Sequence, residues 1–147
     1  MAADRPLFTG SVEHSLDDKG RLVVPARFRE RLGAGFFLTV AQPDPCLALY
    51  PAVTWAEFCS KLERAPVKDA SYRSFVRFIF AHTDELSCDA QGRLMIPAAL
   101  RTYADIEKDV VSIGSLTRVE IWSREGYERQ TREAAGIHDF ATELGLF

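Results

Sequence analysis

The residues best suited to chemistry in this chain form a short motif, Asp-x-x-Gly-Arg, which occurs at residues 17–21 and again at 89–93. A guanidinium group beside a carboxylate lowers the pKa of that carboxyl, which is poor preparation for general acid catalysis. The guanidinium itself donates two parallel hydrogen bonds, a geometry that matches a guanine edge or a phosphate. The motif therefore favours recognition of a base or an anion over catalysis, although a plain turn with a surface ion pair is the simpler alternative.

The two motifs belong to a longer internal repeat. Residues 15–29 read SLDDKGRLVVPARFR and residues 87–101 read SCDAQGRLMIPAALR, with eight identical positions. The similarity continues to CLALYP (46–51) and RVEIWS (118–123), and Trp55 after the first segment aligns with Tyr127 after the second. Because an internal repeat governs the whole architecture, both halves are predicted to contain the same series of elements.

Each half is predicted to form a strand, a tight loop, a strand, a short helix, a strand, a turn, a strand and a longer helix. SVEHSL (11–16) alternates polar and apolar side chains, as a half-buried strand does. Pro25 and Pro97 are predicted to change strand into helix, because proline cannot donate to a sheet but suits the first helical turn. Gly33 is predicted to end the first short helix.

A linker helix is predicted between the halves, within residues 66–86, capped by Asp69 or Ser71. Its apolar residues recur at helical spacing and are expected to pack on both halves. The predicted division is a first repeat at 11–54, connecting helices at 55–82, a second repeat at 83–126, and a C-terminal helix and tail at 127–147. The last eleven residues either offer an apolar face to a neighbouring subunit or fray.

The composition fits a folded chain with a real core: 147 residues, of which 47% are hydrophobic and 27% charged. The net charge of −3 argues mildly against nucleic acid as a partner, but five basic residues lie between Lys19 and Arg31. The three cysteines and three histidines have no metal-ligand spacing, so neither a metal nor a cofactor is predicted. The sequence has no run of roughly 20 apolar residues and no apolar signal stretch at its start. We therefore expect a cytoplasmic protein with no membrane partner.

The doubled motif carries a family resemblance. DDKGRLVVP (17–25) and DAQGRLMIP (89–97) resemble the AbrB-like swapped-hairpin domain. Two copies in a chain of this length, with Phe8-x-Gly10 ahead of the first, are similar to the MraZ family of bacterial transcriptional regulators. The resemblance implies an α+β fold, a swapped-hairpin AbrB-like β-barrel built from two tandem pseudo-symmetric repeats with flanking helices.

The resemblance also implies a function. Members of the family bind double-stranded DNA at the promoter of the gene cluster for cell division and cell-wall synthesis, at short, repeated, guanine-rich boxes. It implies a ring-shaped homo-oligomer, commonly of eight or more subunits, associated with the nucleoid and acting on no small-molecule substrate. Such a ring would make later DNA contacts intramolecular and raise avidity by on the order of 10²–10⁴.

The predicted DNA-binding residues come from the motifs and the basic side chains near them. The family pattern maps its Asp-x-x-x-Arg residues onto both loops, but Gln91 stands where the first loop has Lys19, so the loops need not contact DNA equally. Lys19, Arg27 and Arg29 are candidates for phosphate contacts, while Arg27 and Arg29 equally suit a solvated helix face or subunit ion pairs. The full set is Asp17, Lys19, Gly20, Arg21, Arg27, Arg29, Asp89, Gln91, Gly92, Arg93 and Arg101.

Three other functions compete with DNA binding. An enzyme is not predicted, because the sequence has no nucleophile–base pair, metal-ligand cluster or phosphate-binding glycine loop. An antitoxin-like protein-interaction module of the same fold is the main alternative, although such antitoxins usually carry a long disordered arm that is not evident here. RNA binding would need exposed aromatic platforms, whereas the aromatic residues of this chain fall at core-like positions.

Overall fold

The computed structural model describes residues 5–146. The predicted absence of a signal stretch concerns in part the first four residues, which lie outside the described residues. Phe147, the end of the predicted tail, lies outside them too. The first half contains β1 (Ser11–Ser15), β2 (Arg21–Val23), α1 (Ala26–Leu32), β3 (Phe36–Val40), β4 (Leu47–Pro51) and α2 (Ala52–Glu63). After α3 (Ala70–Ala81), the second half contains β5 (Asp84–Leu86), β6 (Arg93–Met95), α4 (Ala98–Tyr103), β7 (Asp109–Ser115), β8 (Arg118–Ser123) and α5 (Arg124–Glu133), and α6 (Ile137–Glu143) follows.

The predicted order of elements in the two halves is observed. The proline, glycine and N-cap residues that were expected to bound the helices do so. Pro25 and Pro97 stand immediately before α1 and α4. Gly33 follows α1 with a φ of +82°, which glycine adopts without a steric penalty. Asp69, rather than Ser71, caps α3: its carboxylate accepts a hydrogen bond of 3.0 Å from the backbone N–H of Tyr72.

The strands form two separate antiparallel sheets that mix the halves. Six strands lie in the order β1-β7-β8-β4-β3-β5, so β1 of the first half pairs with β7 of the second, and β5 of the second half pairs with β3 of the first. The short strands β2 and β6 pair only with each other, as a two-stranded ribbon. The result is a mixed α+β fold with six helices in the described part of the chain.

The large sheet is open, whereas the resemblance implied a closed barrel. Strands β2 and β6 are three residues long, and a proline follows each of them within two residues. Because these strands satisfy each other's hydrogen bonds and cannot continue past the prolines, they do not bridge the edge strands β1 and β5. The ribbon is therefore a separate layer.

The larger of two buried hydrophobic clusters serves both halves. The buried cluster takes side chains from the ribbon, from α1 and α4, and from the central strands of the large sheet, including Leu22, Phe28, Leu38, Leu94, Leu100, Val110 and Ile121. A polar contact also joins the halves, because Nη1 of Arg118 donates to the hydroxyl of Tyr50 at 2.7 Å. Burial on this scale depends on both repeats, since neither has a complete core alone. In the part of the chain described here, no helix has both the length and the apolar character needed to cross a bilayer.

Candidate nucleic-acid interface

The first motif forms a tight loop between β1 and β2. The backbone N–H of Asp17 donates to the carbonyl of Arg21 at 2.9 Å, and the N–H of Gly20 donates to the carbonyl of Asp17 at 3.0 Å. Gly20 has a φ of +78°, which side chains other than glycine rarely adopt. The loop therefore requires glycine at this position.

The Asp17 carboxylate holds both the loop backbone and the guanidinium group. Oδ1 accepts hydrogen bonds of 2.9 Å from the backbone N–H groups of Lys19 and Arg21, and Oδ2 accepts one of 2.7 Å from Nε of Arg21. The backbone N–H of Arg21 is the largest cause of a lowered pKa at Asp17, and the Arg21 guanidinium and the Lys19 N–H act in the same direction. We call this arrangement the clamp.

The second loop repeats the clamp almost bond for bond. Oδ1 of Asp89 accepts from the backbone N–H groups of Gln91 at 2.9 Å and Arg93 at 2.8 Å, and Oδ2 accepts from Nε of Arg93 at 2.9 Å. The backbone N–H of Arg93 is the largest cause of the lowered pKa of Asp89. One difference exists: Nη2 of Arg93 donates to Oε1 of Gln91 at 3.2 Å, whereas Lys19 at the matching position has no acceptor to offer.

The β2–β6 ribbon brings the two clamped arginines onto one face. Arg21 lies opposite Met95, and Val23 lies opposite Arg93. Directly opposed residues of an antiparallel pair project to the same side, and diagonal neighbours are roughly 7–8 Å apart. Both arginine side chains are about one quarter exposed, at 28% and 27%.

The other face of the ribbon is buried. Leu22 and Leu94, paired at its centre, belong to the main core. The outer face is thus defined by four side chains, which we call the outer ribbon face: Arg21, Val23, Arg93 and Met95. Our sequence reasoning missed Val23 and Met95, which are about half exposed. The signal was available, because strand alternation places residues 23 and 95 on the same side as the arginine two positions earlier.

Two predicted site residues, Arg29 and Arg101, lie beneath the loops rather than at their tips. A Cβ on Gly20 would lie 2.8 Å from Nη1 of Arg101, and a Cβ on Gly92 would overlap Nη1 of Arg29. Nη1 of Arg29 also donates to the carbonyl of Val24 at 2.9 Å. Each of these arginines therefore supports the loop of the other repeat, and both glycines are buried.

The remaining predicted basic residues, Lys19 and Arg27, both belong to the first repeat. Lys19 is exposed in the first loop, and Arg27 is exposed on α1 with its guanidinium over Gly10. Within residues 5–146 no group of three or more His, Cys, Asp or Glu side chains is placed to hold a metal ion. What the geometry offers chemically is a pair of oriented guanidinium groups, with single basic side chains nearby.

A family model described as "MraZ protein, putative antitoxin-like" matches the chain twice, at residues 7–78 and 79–145. The chain belongs to the MraZ family. A protein of Moorella thermoacetica named Transcriptional regulator MraZ is 46% identical over 137 residues, covering 93% of this chain and 95% of the relative. Proteins of the same name in Clostridium tetani and Lactiplantibacillus plantarum are 47% and 45% identical, covering 95% and 94% of this chain and 100% and 98% of the relatives. These MraZ relatives are named as regulators of transcription, not as enzymes.

Proposed function

We propose that this chain is a transcriptional regulator that binds specific DNA sequences and reads guanine bases with Arg21 and Arg93. The observation that carries the proposal is the pair of matching clamps, which orient two guanidinium groups on one ribbon face. In each loop the aspartate binds Nε. Within the described chain, no side chain or carbonyl accepts from the terminal nitrogens of Arg21, so they remain available for a base.

A two-stranded ribbon such as β2–β6 is an element that the major groove of DNA can admit. That groove, about 12 Å wide, admits a two-stranded β-ribbon, and guanine presents there the O6 and N7 acceptors that arginine binds with two parallel hydrogen bonds. A clamped arginine has less side-chain entropy to lose on binding than a free one. The clamps therefore favour base recognition over a loose phosphate contact.

Other residues of the predicted site take distinct roles in this proposal. Asp17 and Asp89 orient the arginines, Gln91 adds a second hold on Arg93, and the two loop glycines permit the turn. Lys19 and Arg27 contact phosphates, which position a protein without reading sequence. Arg29 and Arg101 support the loops from below.

The wider assembly is proposed from family membership. We propose that the repeats at 11–54 and 83–126, joined by 55–82 and followed by 127–147, form a swapped-hairpin unit, and that units assemble as a ring of eight or more subunits. The ring would bind repeated guanine-rich boxes at the promoter of the division and cell-wall gene cluster, in the cytoplasm and in association with the nucleoid. Several weak contacts in register would then overcome the unfavourable net charge.

The decisive experiment is a gel-shift titration with the DNA upstream of the gene, comparing wild type with Arg21→Ala. We expect Arg21→Ala to lose on the order of tenfold or more in affinity, because one bidentate guanine contact discriminates by about 1–3 kcal/mol and the loss repeats in every subunit. The matched control is Arg129→Ala, since Arg129 also lies beside an acidic residue four positions away, Glu125 on α5.

Two measurements complete this test. The mass in solution of Arg21→Ala should equal that of wild type, because Arg21 lies outside the core. Binding should weaken as salt rises, since phosphate contacts release counterions. If Arg21→Ala binds as well as Arg129→Ala, or if binding is insensitive to salt, the proposal is wrong.

An antitoxin-like interaction module is the second candidate, and one observation favours it. Helix α6 exposes Ile137 and Phe140, and its C-cap Leu144 continues the helical spacing; each of the three is more than half exposed. Such a stripe suits either a partner protein or a neighbouring subunit. Truncation after Gly136 separates the two: a fall in oligomer mass assigns α6 to subunit contacts, while an unchanged mass with unchanged promoter binding favours a partner protein.

A further inference from the structure

The outer ribbon face alternates charge with exposed apolar surface. Val23 is 51% exposed and Met95 is 48% exposed, and each lies directly across the ribbon from a clamped arginine. Each also lies two residues along its own strand from the other arginine. The face therefore has guanidinium groups at two diagonal corners and apolar groups at the other two.

The major groove presents one apolar group, the 5-methyl of thymine, beside the hydrogen-bonding atoms of the bases. We propose that Val23 and Met95 contact thymine methyl groups next to the guanines read by Arg21 and Arg93. This inference rests on the DNA-binding function proposed above and assigns the ribbon a second base specificity. An isolated exposed apolar side chain needs no explanation, but two that share a face with two oriented arginines make a composite surface.

The spacing of the face limits where those thymines lie. Val23 is about 6.6–6.8 Å from Arg21 along the strand, and each apolar residue is roughly 4.5–5.5 Å from the arginine across from it. Bases along one strand are separated by about 3.4 Å. A contacted thymine therefore lies within two base steps of a contacted guanine, and thymines farther away contribute nothing through this face.

The two apolar residues differ in stiffness. Valine has two heavy atoms on Cβ and is restricted at χ1, whereas methionine has three rotatable side-chain bonds and adapts to irregular surroundings. Val23 should therefore discriminate more sharply than Met95 between a thymine and a base without a methyl group. The two half-sites read by one chain are consequently unequal.

The test compares synthetic duplexes of the promoter segment protected by the protein, made with thymine or with uracil within two steps of each protected guanine. Uracil pairs as thymine does but lacks the methyl group. We expect the wild-type protein to bind the uracil duplex about fourfold more weakly for each contacted methyl, the factor that follows from removing one buried methyl group. Uracil placed farther away should have no effect.

Variants assign the effect to the ribbon. Val23→Ser with Met95→Gln should bind the thymine duplex more weakly and lose the difference between the two duplexes, with the larger share due to Val23→Ser. Val53→Ser is the matched control, because Val53 on α2 is comparably exposed, at 44%, outside the ribbon. Thermal unfolding and solution mass of each variant show whether the fold and assembly are retained.

Each alternative outcome has a definite meaning. If wild type binds the promoter in an Arg21-dependent way but equally well with thymine and uracil, the methyl contact is absent while the proposed function stands. If the double variant still distinguishes the duplexes, other residues read the methyl groups and the inference is overturned. If the double variant has a smaller mass in solution than wild type, Val23 and Met95 form a contact between copies of the chain instead. If wild type ignores the promoter altogether, both proposals fail.

Discussion

At the residue scale, the clamp is a local device. One carboxylate accepts two backbone N–H bonds and one from Nε of an arginine four residues later, and the pattern occurs in both loops. Such geometry needs only the loop itself, because every partner lies within four positions. The loop sequence does not determine which side chains pack beneath the loop, because Arg101 and Arg29 come from the opposite repeats.

Replacing Gly20 by alanine tests that support. We expect Gly20→Ala to lower the free energy of unfolding by more than Gly136→Ala does, because both glycines have positive φ but only Gly20 is covered, by Arg101. The positive φ alone costs roughly 1–2 kcal/mol for a residue with a Cβ. Urea denaturation of the two variants measures the difference, and equal losses would show that Arg101 moves aside without cost.

His14 gives a pH-dependent prediction at the same scale. It lies half-buried in β1, and its Nε2 shares a hydrogen bond of 2.7 Å with the hydroxyl of Ser112 in β7. Burial lowers the pKa of His14 from its ordinary value of 6.5. As the pH falls, His14 takes up its proton in the unfolded chain before it does so in the folded chain. The free energy of unfolding therefore decreases as the pH drops from about 7 towards 5.

The variant His14→Gln removes this titration and should flatten the pH dependence of the unfolding free energy between pH 7 and 5. His138→Gln, on the exposed helix α6, is the control and should leave the wild-type slope. Chemical denaturation at several pH values gives both slopes. The pKa assignment is wrong if the slope of His14→Gln equals that of wild type.

At the element scale, most boundaries follow from capping and turn residues. The strand, turn and strand predicted after the short helix of the second half are observed as β7 and β8, and Gly33 ends α1. The sequence determined the start of the linker helix less well, because both Asp69 and Ser71 suit an N-cap. Only Asp69 has its oxygen at the free N–H of Tyr72, and α3 therefore begins at Ala70.

Substitutions at these two positions test the start of α3. Asp69→Ala should lower the free energy of unfolding by about 1 kcal/mol, the usual effect of losing an N-cap side chain. Ser71→Ala should have little effect, since its hydroxyl caps nothing. Thermal or urea unfolding of both variants is sufficient, and an equal loss at the two positions would contradict the assignment.

At the scale of the whole molecule, the halves depend on each other for their strand pairs. β1 has its partner in β7, β5 in β3, and β2 in β6. An unpaired strand leaves backbone hydrogen-bonding groups without partners, and half of the chain would also expose its share of the common core. The duplication therefore supplies each repeat with the strands that it lacks.

Separate expression of residues 1–68 and 69–147 tests this dependence. Neither fragment should form a folded monomer, whereas mixing the two should restore the circular dichroism spectrum and cooperative unfolding of the intact chain. A fragment that folds alone should do so only as a dimer, with a second copy supplying the missing strands. Circular dichroism with native mass measurement decides, and a folded monomeric fragment would refute the prediction.

The sequence alone predicted the repeat, the order of elements and the Asp–Arg clamp, because each of these depends on residue types within a few positions of one another. Only the tertiary structure decided that β1 joins β7, that the large sheet stays open, that Arg29 and Arg101 lie beneath the opposite loops, and that Val23 and Met95 share a face with the arginines. Those features join segments far apart in the chain, and their geometry depends on how the common core packs.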